Sequence, residues 1–250
     1  MPRTRSQTLA QIYPETAAGG FSHVDGSIQF YTRIAALLTP DTVVLNLGAG
    51  RGEYVREDPV PYRRALQQFR GRVAQVIGLD IDPVVLDNPD LDAAHVIAPA
   101  GPFPLADHSV DLIVADNVFE HLDNPAAISA EIARVLRPGG WLCARTPNRR
   151  GYIALGARLV PRRLHAAILR RAQPERQMRD VFPAGYLLNT PAALRRFFPP
   201  QTWQHHLHVW VAEPAYVGNH PLAWRVARLA LALVPPPLRD TWFIYLRKRG

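Results

Sequence analysis

Three short stretches of this chain carry residue types that could do chemistry, and each begins where an apolar run stops. The first is Gly48-Ala49-Gly50-Arg51-Gly52. Glycine lacks a Cβ, so such a turn can take positive φ and bring main-chain N–H groups close to a ligand. The second is Asp80, thirty residues past Gly50. A carboxylate there can accept hydrogen bonds from both ribose hydroxyls of an adenosine group. The third is Asp116-Asn117-Val118-Phe119-Glu120-His121, in which acids stand beside a histidine. Each also has a plainer reading. Glycines make ordinary strand-to-helix turns, and Asp80 could be a loop acid, although Asp82, directly before Pro83, is the better helix cap.

The elements that must position these residues are legible from pattern. Thr42–Leu47 (TVVLNL) reads as a buried parallel strand running into the glycine turn. Val73–Leu79 reads as a second strand ending at Asp80, with a short helix over Val84–Asp87 and a weak third strand near Ala94–Ile97. Val110–Ala115 is a fourth strand, Pro125–Leu136 an amphipathic helix, Arg137–Gly140 a turn and Trp141–Arg145 a fifth strand. Helices are also expected at Ser27–Leu38, Pro61–Phe69, Tyr152–Leu159, Leu164–Arg171 and Pro221–Leu233. Further strands are expected at Gln201–Trp210 and Thr241–Leu246. Alternation of strand and helix predicts a doubly wound, mostly parallel sheet with helices on both faces, which binds ligands outside the carboxyl ends of its strands.

Composition narrows the class. The chain has 250 residues, 48% of them hydrophobic, which suits one sizeable α/β unit. The net charge of +8 rests almost wholly on arginine, Lys248 being the only lysine. No arginine stripe is interleaved with stacking aromatics, so nucleic acid is not an expected partner. The single cysteine, Cys143, lies in an apolar run and reads as core rather than as a nucleophile. The first residues lack an apolar signal region, and the longest apolar stretch, 222–234, is too short to span a bilayer, so a cytoplasmic protein is expected. Contact of that stretch with a membrane surface stays open.

Spacing excludes two nucleotide motifs. The dinucleotide fingerprint would need glycine where Glu53 stands, which disfavours a nicotinamide-dependent oxidoreductase, and no lysine with Ser or Thr follows the glycines as a phosphate loop requires. Read in order, VVLNLGAGRGEY, VIGLDIDP, PFPLADHSVDLIVADNVFEHLDNP and RVLRPGGWL resemble the successive motifs of class I S-adenosylmethionine (SAM)-dependent methyltransferases of the type 11 kind. The resemblance spans about residues 41–147 and implies a seven-stranded Rossmann-like fold that binds SAM. It implies that Gly48, Ala49, Gly50 and Gly52 line the methionine end of SAM. Asp80 would hold the ribose, Ile81 pack on the adenine, and Asp116 lie near the methionine moiety. Two departures stand out: Asn46 replaces a usual acid, and an acid expected near Pro99 or Ala100 is missing. Main-chain groups of the loop ending at Phe103 would take over the second role.

Methyl transfer from a sulfonium is an in-line displacement, so the protein mainly aligns the partners and excludes water. A base helps when the acceptor is a hydroxyl or ammonium, and His121 is the first candidate; a structural place at the start of a helix is the alternative. Similar enzymes with a Glu-x-x-Glu-His motif bind a divalent metal, but Asn117 replaces the first Glu here, so no metal is expected. On a strand His206 and His208 share a face and His205 points away, a pattern of a polar strand face. Residues 1–40 read as a helical cap, 41–147 as the SAM-binding core, 148–200 as a helical insertion or lid, and 201–250 as a strand-helix-strand completing the sheet. The lid segment is similar to the C-terminal halves of methyltransferases of glycan, lipid and secondary-metabolite pathways, with Tyr152, Arg158, Arg162, Tyr186 and Asn189 as acceptor-pocket candidates. The expected function is transfer of a methyl group to O or N of a small-molecule, glycan or lipid-linked acceptor. The alternative is a catalytically silent SAM-fold binding or assembly protein.

Overall fold

A computed structural model describes residues 5–152, 185–214 and 220–250. The expected helices at 152–159 and 164–171, and the pocket candidates Arg158 and Arg162, lie outside the described residues except for Tyr152.

Among the described residues seven strands form one sheet: β1 (Val43–Leu47), β2 (Gln75–Asp80), β3 (Ala93–Val96), β4 (Val110–Asp116), β5 (Leu136–Pro147), β6 (Trp203–Trp210) and β7 (Thr241–Lys248). Their spatial order is β3-β2-β1-β4-β5-β7-β6. The pairs from β3 to β5 are parallel, whereas β7 is antiparallel to both β5 and β6. Strand order reverses between β1 and β4, and the carboxyl ends of these strands carry the glycine turn and the 116–121 stretch. The expected turn at Arg137–Gly140 is absorbed into β5 as an irregularity: Val110 pairs with Leu136, but Leu112 pairs with Trp141.

Among the described residues the helices are α1 (Arg5–Ile12), α2 (Gly26–Ala35), α3 (Glu53–Arg56), α4 (Pro61–Gln67), α5 (Pro125–Val135), α6 (Pro191–Phe197) and α7 (Pro221–Ala232). Strand alternation sorts the core into two layers. Leu45, Leu79, Ile113, Leu142 and Ile244 face one side, where Ile128 and Ile132 of α5 and Leu194 of α6 cover them. Val44, Val76, Leu112, Cys143 and Phe243 face the other, beneath Ile28, Phe30, Tyr31 and Ile34 of α2 and Leu66 of α4. Cys143 is fully buried there, and burial pushes its thiol pKa up, which removes thiolate chemistry near neutral pH.

Local signals set the helix starts. The Asp25 side chain accepts from the main-chain N–H groups of Ser27 and Ile28, capping α2, the helix that reaches the site. Asn124 and Thr190 cap α5 and α6 in the same way, each followed by proline at the first helical position. The histidines of β6 keep the expected alternation. His206 packs on the Trp141 ring and His208 on the Phe243 ring, while a His205 ring nitrogen bonds the Phe198 carbonyl across the other face.

Candidate active site

The glycine turn and Asp80 meet directly. Gly50 N–H donates to Asp80 Oδ2 at 2.8 Å, and Asp82 N–H donates to Asp80 Oδ1 at 2.9 Å. Each carboxylate oxygen thus keeps lone-pair capacity for one further donor, which matches the two hydroxyls of a ribose. The turn hangs on the neighbouring strand, because Gly48 and Ala49 N–H both donate to the Leu79 carbonyl. Asn88 Nδ2 braces it from the other side, donating to the carbonyls of Ala49 and Gly50 at 3.1 and 3.0 Å.

Glycine suits two of these positions for different reasons. At Gly48 φ is +71°, and a Cβ would lie 2.4 Å from Val118 Cγ2. At Gly50 φ is +51°, and a Cβ would meet nothing within 4 Å, so this side of the turn faces open space. Ile81, next along from Asp80, leaves 49% of its surface exposed despite being apolar. An open glycine turn, a carboxylate with spare acceptors and an exposed aliphatic side chain together offer the donors, acceptors and apolar surface that an adenosyl group would need.

The third stretch joins the same edge through the Gly48–Val118 contact. Asp116 ends β4, and Arg145 stands opposite it on β5. Arg145 Nε donates to Asp116 Oδ1 at 2.7 Å and Nη2 to Oδ2 at 2.6 Å. Asn117 Nδ2 and Tyr31 OH each add a bond at 2.9 Å, so four donors fill the carboxylate. Arg145 Nη1 continues to Ser27 Oγ at 3.0 Å. Burial alone would depress the guanidinium, but the charge and hydrogen bonds of Asp116 outweigh it and hold Arg145 above its ordinary pKa. Burial, and then the charge of Asp116, push the Tyr31 phenol well up, which keeps it a donor. Arg145, Tyr31 and Ser27 carried no signal in sequence. They arrive through strand register and a helix 85 residues away from Asp116.

Phe119–His121 forms one turn of 3-10 helix rather than the start of an α-helix. His121 is part-exposed, and its Nε2 lies 3.9 Å from Glu120 Oε1, too far for a hydrogen bond. Glu120 is 5% exposed and accepts from Thr146 Oγ1 at 2.8 Å; Asn189 Nδ2 in turn donates to Thr146 Oγ1 at 2.6 Å. The Glu120 carbonyl accepts from Gly185 and Tyr186 N–H, which ties the segment entering α6 to the site. Asn189 and Tyr186 therefore do reach this edge, although Asn189 is fully buried and acts as a strut. At the start of β7, Asp240 Oδ1 and Trp242 Nε1 are buried polar atoms with no partner among the described residues.

Burial raises the Glu120 carboxyl pKa, the Thr146 bond and His121 lower it, and the Asp116 charge raises it, with a net upward shift. In the window above the ordinary value of 4.5, folded Glu120 holds a proton that the unfolded chain has lost, so stability falls as pH rises through that window. Glu120→Gln removes this slope and can still accept from Thr146. Its melting temperature is expected to exceed that of the parent at pH 8, and the margin is expected to vanish below pH 4.5. Calorimetric scans across pH check this.

Phe103 closes the loop that starts at Ala100. Its side chain is 3% exposed within the core, its N–H donates to Glu131 Oε2 at 2.6 Å, and its carbonyl accepts from Arg134 Nη2 at 2.9 Å. An aromatic ring at the end of an apolar loop is worth more in the core than beside a ligand, and α5 has already taken its main-chain groups. Asn46, where an acid was expected, is half-buried on β1 on the layer of Val44, facing α2.

Residues 45–144 match the family model described as a methyltransferase domain. A protein of Mycolicibacterium smegmatis named a probable S-adenosylmethionine-dependent methyltransferase is 41% identical over 80 residues, covering 30% of each chain. An uncharacterized methyltransferase of Mycobacteroides abscessus is 30% identical over 105 residues, covering 39% of this chain and 36% of the relative. The matches thus span under two fifths of these relatives' length. Among solved structures, the YcgJ protein of Bacillus subtilis aligns with a TM-score of 0.54 at 14% identity, covering 88% of this chain and 98% of that one. The cyclase SpnF aligns at 0.54 and 15% identity, covering 100% and 98%. At such identity these two speak for the fold alone. Fold, glycine turn and family match agree: over residues 45–144 this chain is similar to the methyltransferase domain family.

Proposed function

We propose that this chain transfers the methyl group of S-adenosylmethionine to an O or N atom of a small-molecule, glycan or lipid-linked acceptor. The observation that carries this reading is the bond from Gly50 N–H to Asp80, which closes the glycine turn and the ribose carboxylate into one cradle. When bound, SAM supplies a sulfonium-activated methyl group. The chain's own residues then have three tasks. Gly48, Ala49, Gly50 and Gly52 let the main chain approach closely, Asp80 fixes the sugar, and Ile81 covers the base. Asp116, saturated by Arg145, Tyr31 and Asn117, holds the 116–121 turn in place and leaves any contact with the amino-acid end of the cofactor to neighbouring main-chain groups. His121, part-exposed at the end of that turn, takes the proton from the acceptor's hydroxyl or ammonium group at an imidazole nitrogen.

His121→Ala is expected to lower the methyl-transfer rate by about 10²–10³-fold while leaving SAM affinity within about threefold. Labelled-methyl transfer into cell extract, with mass analysis of the product, supplies the rate, and calorimetric titration supplies the affinity. An unchanged rate would return His121 to a structural role.

The neutral Asn46 and the saturated Asp116 favour one competing reading, a SAM-fold protein that binds partners without catalysis. Titration separates the two: dissociation constants of about 1–100 µM support the enzyme, and absence of heat at millimolar SAM supports the silent protein.

A further inference from the structure

Helix α7 presents two faces of opposite character. On one, Trp224 is buried against Ile12 and Tyr13, and Arg228 Nη1 donates to the Ile12 carbonyl at 3.1 Å. On the other, Leu222, Val226 and Leu229, with Leu233 just past the helix end, are 61, 59, 65 and 84% exposed. Their spacing places them in one stripe along the helix. Single exposed apolar residues are normal, but a continuous stripe marks a contact surface. Leu238, in the 3-10 turn Pro236–Leu238 that follows, adds a further exposed apolar side chain.

We propose that this stripe seats α7 on an anionic lipid surface. Charge selects that occupant. Residues 220–239 contain no Asp or Glu, and their charged residues are Arg225, Arg228 and Arg239. Arg225, exposed, lies at the margin of the stripe on the helical wheel. An apolar stripe flanked by arginine, on a chain of net charge +8, complements acyl chains below and phosphate groups beside them. The 12-residue helix lies in the interface plane, being too short to cross.

The segment that follows the helix reaches the carboxyl end of β5. The chain passes from Leu238 into Asp240, whose carbonyl accepts from Asn148 N–H at 2.6 Å at the carboxyl end of β5, while Asn148 Nδ2 donates to the carbonyls of Pro237 and Arg239. The docking stands independently of methyl transfer.

Sedimentation of the full chain with vesicles of phosphatidylcholine, alone or with about one-third phosphatidylglycerol, tests the proposal. The expected result is binding at least about tenfold tighter to the anionic vesicles, weakened by salt. Val226→Glu with Leu229→Glu is expected to weaken it by about tenfold or more, and Arg225→Glu to reduce its salt dependence, with unfolding temperatures unchanged. Leu222→Gln with Leu233→Gln is a milder pair, expected to weaken binding in the same direction, should the acidic pair fold poorly. Failure of the parent to sediment with anionic vesicles would overturn the proposal. So would equal binding by folded stripe variants, or a parent dimer that those variants convert to monomer.

Discussion

An alanine at position 80 is expected to weaken S-adenosylmethionine binding by about two orders of magnitude, roughly 3 kcal/mol. Two losses add up. Hydrogen bonds from two hydroxyls to an ionised carboxylate contribute about 1.5–3 kcal/mol each when nothing replaces them. The Gly50 and Asp82 N–H groups also lose the acceptor that shapes the turn. Asp80→Asn keeps one acceptor oxygen and is expected to cost about tenfold. Calorimetric titration reads both numbers. An Asp80→Ala chain that binds within threefold of the parent would separate the turn from adenosyl recognition and remove the basis of the proposed activity.

The largest effect on stability is expected at Arg145. Arg145→Met leaves the Asp116 carboxylate with only Tyr31 and Asn117 for company, and breaking one side of such a pair typically costs about 3–5 kcal/mol. For a chain of this length that is a fall in melting temperature of about 10 °C. Arg145→Met combined with Asp116→Leu removes both charges, and most of the loss is expected to return, since the penalty comes from the stranded carboxylate rather than from the pair itself. Thermal scans of the two single variants and the double variant form a cycle. Additive losses would mean that the residues do not work as a unit.

Comparison of pattern with structure shows which physics is local. The turn at Gly48–Gly52 and the acid at Asp80 were legible because a strand's end, a glycine series and a terminal carboxylate are all written within a few residues of one another. Asp116 was legible as a strand-end acid, but its partner was not. Arg145 meets it only because β4 and β5 pair in a register that the irregularity at Val110–Leu112 resets. Tyr31 arrives from α2 on the same principle, through packing rather than sequence. The inward turn of the Phe103 ring was not legible, because loop composition does not say which side chain turns inward. Helix α6 went unread although Thr190 and Pro191 spell its start, because seven residues give too little periodicity to weigh. The resemblance of residues 41–147 to methyltransferases carried the cofactor assignment further than any single motif.

The position of β7 has a consequence for how the chain folds during synthesis. The strand latest in sequence, Thr241–Lys248, is an interior strand of the sheet, and β6 joins the rest only through it. Until those eight residues leave the ribosome, β5 shows a bare edge and β6 hangs without a ladder. The fold is therefore expected to close only when β7 enters between β5 and β6, a pairing of long sequence separation that favours slow folding. A nonsense codon near position 240 would trap that open form, and its product should be sought among insoluble aggregates rather than as a weakened but folded protein.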